Sequence, residues 1–295
     1  MRLDSAFNGR RPVFSFEFFP PRSDEAEHSL FDSIAQLREL EPTFVSVTYG
    51  AGGSQRTRTI DLVTRIHREL DVQPVAHFTC VGASVADLRA NLDAMRDAGI
   101  DNILALRGDP PQGDDVFTPA PDGLSHGSEL IKLIHDSYDA CVGGACYPET
   151  HIESRSMEDE LRYTKLKEEA GASFLITQLF FDNRAYFDFV SRARAAGVTV
   201  PIIPGIMPIT NVTQIKRFTS KIGATIPPAL MDALVSREDD PDAVLQLGVA
   251  WSTLQCSELL SGGAPGVHFY TLNRSPATRA ILSALRAAQP WERVR

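Results

Sequence analysis

The chain has 295 residues, 43% of them hydrophobic, enough to bury a sizeable core in one or two domains. Its formal net charge of −9 argues against a nucleic-acid-binding surface. No apolar run approaches the roughly 18 residues of a membrane span, and the N-terminus MRLDSAFNGRRP lacks the apolar core of a signal peptide.

The segment from Val13 to Arg22 opens the folded part, after an N-terminal extension of residues 1–12. Phe14, Phe16 and Phe18 alternate with Ser15 and Glu17, which predicts a strand ended by Pro20 and Pro21. Further strands are predicted at Thr43–Thr48, Val72–Cys80, Asn102–Leu106, Cys141–Tyr147, Phe174–Gln178, Val200–Pro204 and Gly266–Thr271. Helices are predicted at Thr59–Leu70, Ser84–Ala98, Glu129–Tyr138, Met157–Ala170, Arg184–Ala196, Asn211–Thr219, Pro241–Ser261 and Pro276–Ala287. Ser84 and Asn211 read as N-caps, and Gly99, Gly171 and Gly197 as C-terminal stops. The Pro- and Gly-rich stretch from Arg107 to Ser125 is a long loop of the kind that often carries function. Residues 288–295 form a tail, the last four of them read as solvated.

Strands alternating with helices imply parallel pairing, and eight such units imply a closed (β/α)8 TIM barrel in one α/β domain spanning 1–295. The four cysteines do not make a disulfide framework and read as buried thiols in a reducing cytoplasm. Cys141 and Cys146, five apart on one strand, should point to opposite faces.

A barrel of this kind places its site at the C-terminal strand ends, and the unusual polar residues fall there: Glu17, Thr48, Tyr49, His77, Thr79, Arg107, Gly108, Asp109, Tyr147, Glu149, Gln178 and Tyr270. Each has a plain structural reading: Glu17 as an ion-pair partner, His77 as a satisfied core histidine, Asp109 as a turn cap. The AGGS of Ala51–Ser54 resembles a phosphate cradle only weakly, and no dinucleotide fingerprint follows a strand.

FSFEFFPPR, FVSVTYGAGGS, HFTC, ALRGDPP, GGACYPETH, ITQLFFD, IIPGIMPI and HFYTLNR occur together and in this order. The set resembles the methylenetetrahydrofolate reductase family from about Val13 to Arg274. The resemblance implies reduction of 5,10-methylenetetrahydrofolate to 5-methyltetrahydrofolate by NADH or NADPH, in a ping-pong hydride transfer through bound FAD. By the same resemblance Glu17 is the general acid to folate N10, with a pKa expected to be raised by phenylalanine-rich surroundings. Asp109 contacts the pterin near the flavin, while Gln178, Gln214, Phe218 and Arg274 are further substrate contacts. The flavin would be held by Thr48, Tyr49, Ala51, His77, Arg107, Gly108, Asp109, Tyr147, His151 and Lys167. Glu160, Tyr163, Leu166 and Gly127 flank the same cofactor but depart from the best-known bacterial pattern.

Three other readings stay open at this point. One is a flavin-independent reductase, and one a non-enzymatic folate-binding protein. The third is a metal-dependent hydrolase using Glu17, His77, Asp109 and His268, although no ligand-spaced motif supports a metal. A cytoplasmic location with no nucleic-acid or membrane partner completes the expectation, and the sequence leaves open whether the chain forms a homo-oligomer.

Overall fold

A computed structural model describes residues 2–9, 11–48, 56–110, 113 and 116–294. The strands are β1 (Val13–Phe18), β2 (Phe44–Val47), β3 (Pro74–Thr79), β4 (Asn102–Leu106), β5 (Cys141–Cys146), β6 (Phe174–Thr177), β7 (Ile202–Ile203), β8 (Gly205–Ile206) and β9 (Gly266–Tyr270). The helices are α1 (Asp24–Arg38), α2 (Arg56–Leu70), α3 (Val85–Asp97), α4 (Gly127–Ser137), α5 (Met157–Glu169), α6 (Asn183–Ala195), α7 (Val212–Ile222), α8 (Pro228–Val235), α9 (Pro241–Ser261) and α10 (Pro276–Ala288). All pairings are parallel, in the order β7-β6-β5-β4-β3-β2-β1-β9-β8.

The predicted seventh strand is divided. Ile202–Ile203 pairs with β6, Gly205–Ile206 pairs with β9, and Pro204 between them has no N–H to donate. Its carbonyl still accepts from His268 N at 2.9 Å, so this one segment closes the ring of eight strand positions as a TIM barrel. Two helices were not expected from the sequence. In α1 the first half is polar, and only Leu30, Ile34 and Leu37 among its apolar residues are buried, so its periodicity is short. The eight-residue α8 follows Pro227 and Pro228.

Side-chain alternation sorts the strands into two layers. Phe14, Phe16 and Phe18 join Leu30, Ile34 and Leu37 between barrel and helices. Val13, Phe44, Val75, Leu104, Cys141, Phe174, Ile176 and Ile203 fill the lumen toward the strand starts. Cys141 and Cys146 fall in the inner and outer layers respectively, and all four cysteines are buried free thiols. The N-terminal extension is more than a leader to the barrel. It forms a 3-10 helix, Leu3–Asn8, whose Leu3 and Phe7 plug the lumen, with the Phe7 ring 5.4 Å from that of Phe174. Leu3 N donates to the buried Asn102 Oδ1 at 2.8 Å. Ser84 and Asn211 cap α3 and α7, as their positions predict.

Candidate active site

Ser15 and Glu17 share the inner face of β1, opposite the phenylalanines. The β1–β9 register pairs Ser15 with His268 and Glu17 with Tyr270. Ser15 Oγ lies 2.8 Å from His268 Nδ1, and His268 Nε2 lies 3.5 Å from Glu17 Oε2. With Nδ1 accepting from the serine hydroxyl, Nε2–H faces the carboxylate. His77 Nε2, from β3, lies 3.4 Å from the same oxygen, within ion-pair range but outside hydrogen-bond geometry. Glu17, His77 and His268 are all buried.

This geometry corrects the expected pKa of Glu17. Burial pushes the carboxyl up, but His77 and then His268 pull it down, and the balance lies below its ordinary value. The phenylalanines expected to raise it point into the outer layer and do not surround the carboxyl. For His77 burial prevails over the attraction of Glu17, and the imidazole is held below its ordinary range. Both shifts favour acid sensitivity. His77 is protonated more readily in the unfolded chain, so its contribution is present above its ordinary value of 6.5 and is lost as pH falls through its folded pKa. Glu17 adds a contribution that is present above 4.5 and lost below it, as pH falls through the lowered folded pKa. Denaturant melts at pH 7.5 and 5.5 should therefore show a less stable protein at 5.5, with a smaller difference in His77→Gln; equal pH dependence in both proteins would contradict this.

A second cluster lies over β4, β5 and α5. Gly108 takes φ of +91°, and a Cβ there would lie 2.6 Å from Val81 Cγ1, so glycine is required between Arg107 and Asp109. Arg107 is bidentate to Glu153 and sits over the Phe117 ring, 4.7 Å from its centroid. A Cβ on Gly127 would lie 3.3 Å from Arg107 N, so the start of α4 approaches the β4 end closely. Tyr147 packs edge-on against His151 with centroids 4.7 Å apart, and Lys167 Nζ lies 5.6 Å from the Tyr147 ring centre while donating to Ala145 O at 2.7 Å. Burial holds Lys167 and His151 below, and Tyr147 above, their ordinary values. Glu160 Oε2 accepts from His151 N and Ser154 Oγ, whereas its buried Oε1 has no hydrogen-bond partner. Tyr163 and Leu166 expose themselves on the same helix. Thr48 stands at the end of β2 with its N–H bonded to Phe18 O. Tyr49 and Ala51 lie outside the described residues.

The residues expected to touch substrate ring the mouth. Gln178 follows β6 and folds its Oε1 onto Leu179 N at 2.9 Å. Tyr270 reaches across to donate to Thr177 O at 2.7 Å. Gln214 and Phe218 are partly exposed on α7, and Arg274 is exposed beside a cavity of about 230 Å³ formed with Pro208, Leu245 and Leu272. Asp109 is exposed and apart from the buried trio; its Oδ2 accepts from Lys221 Nζ at 3.0 Å. Asp109 thus stands apart from Glu17, His77 and His268, and among the described residues no group of three or more His, Cys, Asp or Glu could hold a metal ion. A cavity of about 1010 Å³ lies at the opposite end of the barrel, lined by Arg11, Phe14, Glu41, Arg286 and Trp291, and holds no strand-end residue. No helix among the described residues is long and apolar enough to cross a membrane.

Sequence reasoning missed Ser15 and Lys221 altogether and gave His268 only a metal-ligand role. Ser15 sharing a face with Glu17, and His268 with Tyr270, carried the signal for the Ser15–His268 contact, once β1 and β9 are placed side by side.

Comparison with known proteins identifies the family. The sequence model of the family described as "Methylenetetrahydrofolate reductase" matches residues 2–286. The 5,10-methylenetetrahydrofolate reductase of Escherichia coli K12 is 37% identical over 271 residues, covering 92% of this chain and 90% of the relative. Methylenetetrahydrofolate reductase (NADH) 1 of Arabidopsis thaliana is 34% identical over 311 residues, covering 99% of this chain and 52% of the plant protein. The chain thus spans about half the length of the plant relatives it matches. A Clostridium thermocellum protein, described as binding two copies of 5-methyl-5,6,7,8-tetrahydrofolic acid, shares the fold with a TM-score of 0.65 and 18% identity, over 97% of this chain and 99% of that one. The motifs at the strand ends and the match along nearly the whole chain have one meaning: the chain belongs to the methylenetetrahydrofolate reductase family.

Proposed function

We propose that this chain reduces 5,10-methylenetetrahydrofolate to 5-methyltetrahydrofolate with NADH or NADPH, using FAD. The observation that carries the reading is a buried carboxylate between two imidazoles at the mouth of a barrel of this family. The second cluster fits a flavin dinucleotide. Arg107 and Lys167 supply cations for a pyrophosphate, the unpartnered Oε1 of Glu160 is an acceptor for a ribose hydroxyl, and Tyr163 offers an exposed ring. His77, Tyr147 and His151 complete the wall, and Gly127 leaves room beside the β4 end. When bound, FAD supplies a hydride relay between nicotinamide and folate.

The chain's own residues do the remaining work. Glu17 gives a proton to folate N10 as the five-membered ring opens to the cationic iminium. It must be neutral at that moment. Substrate over the mouth excludes water, which pushes the carboxyl up, so that Glu17 takes a proton from solvent before it gives one to N10. Asp109 holds the pterin through its N–H donors and stabilises the iminium charge. Gln178, Gln214, Phe218 and Arg274 orient the substrate, Phe218 by stacking.

The protein should purify yellow and release FAD on denaturation. A colourless protein with full NAD(P)H-dependent activity and no response to FAD would overturn the cofactor assignment. Asp109→Asn should slow the folate half-reaction on the order of 10²-fold and leave flavin bleaching by NAD(P)H nearly unchanged. Equal losses in stopped-flow traces of the two halves would contradict the role of Asp109.

A further inference from the structure

Two acidic side chains from different strand-end loops contact the end of α7 and the turn that follows it. Asp109, after β4, accepts from Lys221 Nζ at 3.0 Å. Glu149, after β5, accepts from Thr225 N with both carboxylate oxygens, at 3.1 and 3.3 Å. The two contacts differ in kind. Thr225 offers a fixed backbone N–H, and Glu149 is partly buried. Lys221 is a flexible side chain at the end of α7, and both it and Asp109 are strongly exposed, 70% and 76% in their side chains. Asp109 therefore has a cationic partner that can leave without unfolding anything. Gln214 and Phe218 lie on the same helix, two turns and one turn before Lys221 respectively. Anything that docks on Asp109 must first displace an ammonium carried by the helix that also offers a stacking ring.

We propose that Lys221 is a displaceable counter-ion to Asp109 that sets folate affinity, a reading that rests on Asp109 being the pterin-binding carboxylate. In the substrate-free protein Lys221 neutralises Asp109. Pterin N–H donors compete with the ammonium for the same carboxylate, so part of the binding free energy is spent on breaking the ion pair. An apolar residue of similar length at 221 leaves Asp109 unpaired and ready. Lys221 is thus a positioning residue, and its effect falls on folate binding and not on flavin reduction.

The test is Lys221→Met in the flavin-loaded protein, with 5-methyltetrahydrofolate as the titrated probe at low and high ionic strength. The variant should bind the probe roughly two- to fivefold more tightly at low salt, the range an exposed ion pair supplies. Wild type should approach the variant as salt screens the pair, and the rate of flavin bleaching by NAD(P)H should be the same in both. Weaker binding by the variant would mean that Lys221 attracts folate carboxylates, and unchanged binding would mean that the pair is inert; either overturns the proposal. Asp109→Asn, titrated alongside, separates the two levels. If it binds the probe like wild type, the assignment of Asp109 fails. If it binds more weakly while Lys221→Met is unchanged, only the counter-ion role fails.

Discussion

Glu17→Gln should lose folate reduction by about 10²–10⁴-fold, the usual worth of a general acid, while NAD(P)H still bleaches the flavin within about tenfold of wild type. The amide keeps the size of the side chain and a hydrogen-bond acceptor for His268 but cannot give a proton to N10. The structure adds a cost that the sequence did not foresee. Glu17 is the shared partner of His77 and His268, so the variant should also lose about 1–3 kcal/mol of stability, as when one member of a buried polar set is removed. A purely structural Glu17 would show the stability loss with both half-reactions reduced together. Melting temperature and both half-reactions, measured on one preparation, separate the outcomes.

The second large effect lies in the lumen. Phe174 is fully buried, 6.2 Å from the Phe44 ring and 5.4 Å from that of Phe7. A Cβ on Gly143, one strand away, would lie 2.4 Å from Phe174 Cζ. Glycine at 143 is therefore the complement of phenylalanine at 174. Phe174→Ala should destabilise the barrel by about 3–5 kcal/mol. Gly143→Ala should also destabilise in the wild-type background, because it overpacks the same space. With Phe174→Ala already present, Gly143→Ala should become neutral or stabilising, since the clash is gone and part of the cavity is filled. A double-mutant cycle by denaturant unfolding reads this coupling directly; additive losses would contradict the packing described.

The barrel was legible because most strands carry strong local signals. The alternation of β1, the caps Ser84 and Asn211, and the motif-bearing strand ends all act over a few residues. The misses have local causes too. In α1 the first turn carries Asp24, Glu25 and Glu27, which masks a helix whose apolar stripe begins only at Leu30. Pro204 breaks a ladder that sequence pattern reads as one strand. The candidate site was legible as residue types at strand ends and not as contacts. Lys221 meets Asp109 from 112 positions away, and His268 meets Ser15 from 253, distances at which only the closed barrel decides. The pKa of Glu17 was misjudged for the same reason. Alternation places the phenylalanines on the opposite face, and the groups that shift the carboxyl come from β3 and β9.

If this mouth passes reducing equivalents to a folate, the transfer is visible in one turnover. Anaerobic single turnover tests it most directly: the protein is bleached with one equivalent of NADH or NADPH, then mixed with 5,10-methylenetetrahydrofolate. Flavin absorbance should return and one 5-methyltetrahydrofolate should form per flavin, in the wild type and not in Glu17→Gln. Return of absorbance at the same rate in both proteins would contradict the role of Glu17. A bleached wild-type protein that stays bleached with folate present would contradict the function itself.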